Sequence, residues 1–156
     1  MNYHLAQLNI AQLLAPLDSP LLKDFVDNLE RINTLAEQSE GFIWRLQTDE
    51  GDATALRPFG EEVIVNLSVW ESVEALHQFV YRTAHAPIMS RRREWFARMA
   101  KAYMVLWWIP VGHQPTAEEA KHRLDLLQTQ GASAQAFTFK QVFAQPVFSE
   151  HQQTIS

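Results

Sequence analysis

The run Met104-Val-Leu-Trp-Trp-Ile-Pro110 holds seven apolar residues in a row, two of them the adjacent Trp107 and Trp108. Successive side chains of an extended strand point to opposite faces. A strand wetted on one side therefore alternates apolar and polar residues, and this one does not. Both of its faces must be covered, which restricts the chain to folds whose sheet is packed on two sides.

The surrounding sequence supplies candidate neighbours. "YHLAQLNIAQLL" alternates loosely and reads as a first strand. Ser19 and Pro20 suit a helix start, and Leu22, Phe25, Leu29, Ile32 and Ala36 recur at helical steps up to a stop at Gly41. "FIWRLQT" is a short strand. "EVIVNLSVW" is the clearest strand, with Val63, Val65, Leu67 and Val69 on one face and Ile64, Asn66, Ser68 and Trp70 on the other. "ESVEALHQFVYRTAH" returns to helical period. Pro87 interrupts it and "PIMSRRREWFARM" resumes, so a kinked helix or two helices are expected to meet near Ala86. After the tryptophan strand, Thr116 and Glu119 have capping-box spacing for a helix that Gly131 can end. "AFTFKQVF" is read as a last strand. One domain over residues 1–144 with a loose tail, 145–156, accounts for the chain of 156 residues.

The order β-α-β-β-α-β, followed by an added α-β, matches a ferredoxin-like α+β fold with an antiparallel sheet. Such a sheet carries its helices on one face. The Val63–Val69 row and the doubly apolar tryptophan strand leave the other face needing cover. Each large side chain buried contributes roughly 1.5–3 kcal/mol, so the row favours association. A homodimer packed sheet face to sheet face is the expected solution. The rival is that the terminal helix folds back over the bare face.

Composition removes several function classes. The net charge of −5 argues against nucleic acid or an anionic membrane as partner. No cysteine is present, so disulfides and thiolate chemistry are absent, in keeping with a cytoplasmic setting. No apolar run is long enough for a bilayer span, and the start lacks the features of a signal peptide. There is no metal-ligand spacing, no glycine-rich phosphate loop and no G-x-S-x-G. No metal site is expected.

The stretches "LSVWESVEALHQFVY", "RREWF" and "LWWIPVGHQPTAEEAKHRL" resemble the family known as domain of unknown function 3291. That resemblance implies membership of the dimeric α+β barrels, the superfamily of the antibiotic-biosynthesis monooxygenases. It implies no established activity, because fold does not fix function. Cofactor-independent monooxygenases of the superfamily and its haem-degrading relatives use Asn and Trp in pockets between sheet and helices. Asn66 and Trp70, four apart on one strand face, resemble that pattern: the amide would orient a carbonyl or dioxygen and the indole would stack on a ring. The alternative is an internally satisfied amide beside a core tryptophan.

Helix phase adds a second group. Val73, Leu76, Val80 and Ala84 define a buried line, with Tyr81, His85 and Arg92 on its flank and Trp95 close by. Across a mild kink these edge one cleft. His85 or Tyr81 would assist proton removal, and Arg92 would stabilise an enolate. The alternative is a helix rim of half-exposed tips. Trp70, Trp95, Trp107 and Trp108 are candidates for holding a substrate, the strand register leaving open which of Trp107 and Trp108 faces it. Of Arg91-Arg92-Arg93, only Arg92 is expected to share the Trp95 stripe. His77 is read as a core histidine, His113 as a structural group before the last helix and His122 as outward-facing. The functional expectation is an oxygenase of the cofactor-independent type acting on a small aromatic or polyketide-like molecule. The alternatives are a non-catalytic module binding an apolar ligand or haem, with His85 as axial ligand, and a purely structural dimer.

Overall fold

Strand β3, Val63–Trp70, pairs antiparallel with β1, Tyr3–Gln12, in a register that sets Asn9 opposite Asn66 and Gln7 opposite Ser68. On its other edge β1 pairs with β4, Met104–Pro110, and β3 pairs outward with β2, Phe42–Arg45. The sheet order is β2-β3-β1-β4, antiparallel throughout, as a ferredoxin-like α+β fold requires. This computed structural model describes residues 2–47, 57–82 and 90–146. Among the described residues the helices are α1 (Lys23–Gln38), α2 (Val73–Arg82), a single short turn α3 (Arg92–Trp95) and α4 (Ala117–Gln130).

The two faces of β4 diverge as period two demands. Val105, Trp107 and Ile109 join Ala6, Leu8, Ile10, Val65, Leu67 and Val69 in one cluster, closed by Ala120, Leu124 and Leu127 of α4. Leu106 and Trp108 face the other way, toward the side carrying α1, α2 and the segment around Phe137. The run Met104–Pro110 is therefore covered on both faces within one chain.

That corrects the cover expected for this face, a homodimer's second sheet. Trp107 is 0% exposed in the single chain, beneath α4 rather than beneath a partner's sheet. The stripe Ala120-Leu124-Leu127 has the right helical spacing to lie along the apolar row. Thr116 Oγ1 accepts from Glu119 N–H at 3.0 Å, and Gly131 ends the helix at φ 78°. The Thr116 cap and the Gly131 stop match the sequence reading, while the Glu119 carboxylate engages Trp107 and His113.

Three other expectations are corrected. Ser19 gives no helix cap: its hydroxyl donates to Pro16 O, and a 3-10 turn over Pro20–Leu22 precedes α1. The helix expected to run to Met99 ends at Trp95. Phe96 turns extended and bridges Leu13, so its neighbours bond to the end of β1 rather than continuing a helix: Leu14 N–H donates to Trp95 O, and Ala97 N–H to Gln12 O. The expected last strand is reduced to isolated bridges, chiefly Phe137 to Leu106, because the chain leaves the β4 edge as soon as Phe137 is buried. The expected break at Pro87 lies outside the described residues.

Gly41 (φ 84°) lets the α1–β2 turn pass close to α2; a Cβ there would meet Ala75 Cβ at 2.5 Å.

Candidate functional site

The face of the sheet under α1 and α2 is not uniformly apolar. Register lines up cross-strand rows on it. Phe42, Trp70, Leu5 and Trp108 make an aromatic and aliphatic row at one end. Ile64 and Ala11 make an apolar row at the other, beside Trp95 and Phe96. Between them lie Arg45, Ser68, Gln7 and Leu106, then Asn66, Asn9 and Met104. A polar patch thus sits in the middle of an otherwise greasy layer.

Above this patch is a cavity of about 570 Å³, within the size range of small-molecule sites. Gln7, Asn9, Asn66 and Ser68 form its floor. Ile32, Asn33 and Ala36 of α1, with Leu76, Phe79, Val80 and Tyr81 of α2, form walls. The chain from Ala100 to Met104 and the segment Thr138–Lys140 complete it. Its aromatic members include Phe42, Trp70, Phe79, Tyr103 and Phe139, and Trp70 stacks on Phe79 at 5.3 Å.

The floor is internally wired. Gln7, only 4% exposed, donates through Nε2 to Asn66 Oδ1 at 2.6 Å and to Ser68 Oγ at 2.8 Å, with a longer contact to Asn66 O at 3.3 Å. The backbone carbonyl can only accept, so it fixes which end of the Gln7 amide faces β3. That in turn fixes Asn66, whose Oδ1 must meet Gln7 and whose Nδ2 is left for the cavity. Ser68 Oγ accepts a second bond from Trp70 Nε1 at 2.8 Å. With both lone pairs engaged, the Ser68 hydroxyl proton is the group left to donate. The result is a neutral polar floor, with the Asn66 amide N–H and the Ser68 hydroxyl as donors and the Gln7 and Asn9 amide oxygens as acceptors, ringed by aromatic surface.

Of the residues proposed from sequence, Asn66, Trp70 and Tyr81 line this cavity. Tyr81, 57% exposed, stands at the rim against His77 and Phe139, with ring centroids at 4.5 and 5.9 Å. His85 lies outside the described residues. Arg92, Trp95, Trp107 and Trp108 are not brought together with these. Arg92 lies over the Tyr103 ring at 4.4 Å, outside the lining. Trp95, 1% exposed, packs with Phe25 and Phe96 in a separate cluster, and Arg91 rather than Arg92 covers its ring, at 4.7 Å. Arg91 and Arg92 thus serve the Trp95 and Tyr103 rings, and the stretch that joins α2 to α3 lies outside the described residues. Trp107 is on the opposite sheet face, where its Nε1 donates to Glu119 Oε2 at 3.0 Å. Trp108 shares the cavity's face but is sealed by the C-terminal segment, donating to Phe143 O at 2.9 Å.

His77 is corrected from core to exposed. The buried stripe of α2 centres on Leu76 and Phe79, which places His77 about 100° and 160° away from them. His113 bonds Glu119 Oε1 at 2.7 Å, as a structural group beside the helix start; His122 is exposed. Gln7, Asn9 and Arg45 were not singled out in the sequence. The alternation of "LAQLN" carried the signal for Gln7 and Asn9, since the same parity that buries Leu5 directs both to one face.

Among the described residues no group of three or more His, Cys, Asp or Glu is placed to hold a metal, and no helix is long and apolar enough to cross a membrane. The floor's amides and hydroxyl are not the axial donors that a haem iron takes, so no step is drawn through haem.

A ferredoxin-like sheet with a polar-floored cavity beneath two helices defines the class: a small α+β protein with a cavity between its sheet and its helices. The chain belongs to the family described as domain of unknown function (DUF3291), whose model matches residues 4–153. No curated protein matches the sequence. Among solved structures, the chain is similar to SnoaB, a cofactor-independent oxygenase from Streptomyces nogalater. The identity is 11% and the TM-score 0.45, over 73% of this chain and 97% of that one. It is similar to the same degree to NE2512, a protein of unknown function from Nitrosomonas europaea, at 12% identity and TM-score 0.45, over 74% and 96%. Overlaps this loose are likenesses and carry neither activity nor assembly to this chain.

Proposed function

We propose that the cavity binds a flat aromatic or polyketide-like molecule and that the protein acts on it as a small-molecule oxygenase whose substrate supplies the electrons. The observation that carries this is the Gln7–Asn66 bond, which turns an amide donor onto the space above an aromatic-walled floor. In such a reaction one activated methylene group and one dioxygen molecule give one carbonyl group and one water. Two C–H bonds are lost and one C=O bond forms, so the substrate itself is the reductant. Loss of the first proton forms an enolate. Asn66 Nδ2 and the Ser68 hydroxyl would hold its oxygen where negative charge develops, and the half-buried Phe42, Tyr103 and Phe139 would hold the ring, with Trp70 packed behind them. Proton removal would fall to Tyr81 at the rim or to His85.

Oxygen uptake with an electron-rich hydroxyanthrone tests the reading. Wild type should consume dioxygen and release the corresponding quinone, and Asn66→Ala should lose most of that rate. Equal rates in both would overturn it.

The second reading is a non-catalytic binding module. It is favoured by the chemistry of the floor, since amides and a serine hydroxyl orient a ligand without taking a proton near neutral pH. Ligand binding without oxygen consumption would select it. A homodimer carries over as a proposal with one change: a second copy would join elsewhere than the sheet face beneath α4, which sedimentation of the full chain and of α4-surface variants would test.

A further inference from the structure

The cavity lining carries Arg45, Lys101 and Lys140 and, among the described residues, no carboxylate. The chain as a whole is acidic, with 18 Asp and Glu against 13 Lys and Arg. The sign of charge is thus inverted where the cavity lies.

Arg45 is directed there by a break in strand geometry. Regular alternation from Phe42, which faces the cavity opposite Trp70, would send residue 45 to the far face. The β2–β3 register shifts between Phe42 and Trp44, so Trp44 pairs with Val69 and packs in the cluster under α4, while Arg45 pairs with Ser68. A β-bulge costs ladder bonds and is a device for re-aiming a side chain. Here it brings a cation to the end of the polar row Ser68–Gln7. The Arg45 side chain is only 11% exposed, and its Nε is held by Glu37 Oε2 at 3.1 Å. Among the described residues Glu37 takes the Nε donor of the fork, and the terminal nitrogens carry four further N–H groups.

We propose that the ligand of this cavity carries a carboxylate and that Arg45 receives it. The inference rests on the cavity being an aromatic-binding site and names the substrate class for it. A planar guanidinium that is largely withdrawn from water and oriented by a neighbouring carboxylate suits a two-point bond to a second, incoming carboxylate. Lys101 and Lys140, both exposed, add attraction at the opening. The sheet sets the dimension. Arg45 on β2 and Met104 on β4 are three strand spacings apart, roughly 14 Å. A ligand of two or three fused rings with a terminal carboxylate spans most of that distance while leaving its central oxygen over Asn66.

The probes are naphthalene-2-carboxylate and naphthalene-2-carboxamide, similar in shape and different in charge, titrated calorimetrically against wild type, Arg45→Gln and Arg45→Lys. The carboxylate should bind wild type at least tenfold tighter than the amide. In R45Q that gap should close while amide affinity holds, which also shows that the cavity has survived. R45K should keep part of the gap. Equal binding of both probes to wild type would overturn the anionic assignment and leave the aromatic site standing. Binding of neither would overturn the site and the assignment together. A gap that persists in R45Q and closes only in Lys101→Gln would overturn the role given to Arg45.

Discussion

Trp107 Nε1 donates to Glu119 Oε2 at 3.0 Å, joining the middle of β4 to the first turn of the helix that covers it. The bond satisfies an indole N–H that is wholly buried, and the same carboxylate takes His113 on its other oxygen at 2.7 Å. Trp107→Phe should cost about 1–3 kcal/mol, the lost bond plus the void left where the indole's second ring packed. Trp107→Ala should cost about 3–5 kcal/mol by opening a cavity under α4. Urea denaturation of the two variants checks the ordering, and equal losses would show that the ring contributes no packing.

Truncation after Gln114 removes α4 and bares Val65, Leu67, Val105 and Trp107 together. The shortened chain should bind the apolar dye ANS strongly and self-associate in sedimentation, with the intact chain showing neither change. A well-behaved truncated chain would mean that the face has other cover.

Gln7→Met keeps the shape of the side chain and deletes the donor that Asn66 Oδ1 and Ser68 Oγ share. Stability should fall by about 1–3 kcal/mol, the usual penalty for leaving buried acceptors unpaired. Oxygen uptake should fall with it, because the Asn66 amide loses the bond that orients it. Comparing the denaturation midpoint with the rate measured well below that midpoint separates the two effects.

Asn66→Asp keeps an oxygen for Gln7 to donate to and removes the N–H group from the cavity. Folding should be retained while turnover drops at least about a hundredfold, the scale seen when one donor to a developing oxyanion is lost. Retained turnover would remove Asn66 from the mechanism.

Glu94 offers a pH test away from the site. The hydrogen bond from Arg91 holds its carboxyl below the ordinary carboxylate value. A group lowered on folding stabilises the fold above its unfolded pKa, and that contribution is lost as pH falls through the lowered value. Glu94→Gln should thus reduce stability slightly at neutral pH and leave it unchanged in strong acid. Because the pair is exposed, salt should shrink the difference. A difference that grows toward low pH would contradict the sign.

Much of this architecture could be read from residue order. The parity of Val63–Trp70 correctly assigned Asn66, Ser68 and Trp70 to one face, and Thr116, Glu119 and Gly131 correctly bounded α4. Local spacing carries that information because period and capping are properties of short segments. Three things were not legible. Whether α4 or a second chain covers the apolar row depends on how the turn after Pro110 aims the helix, and the packing of Ala120, Leu124 and Leu127 on the row, with the Trp107–Glu119 bond, displays it. The end of α3 at Trp95 is decided by bridging to Leu13, far away in sequence. The placement of Arg45 depends on a bulge that no residue in "FIWR" announces. The cavity floor was half legible: Asn66 was named, while its partner Gln7 needed the β1–β3 register.

Trp107 and Trp108 are consecutive and face opposite compartments. The strand that bears them therefore has no side that mutation can alter cheaply. A change in the length or tilt of this strand would disturb the helix on one side and the C-terminal seal on the other at the same time. Retuning of the ligand should then fall on the rim, where Tyr81, Lys101 and Lys140 are exposed and a substitution leaves both packed clusters intact.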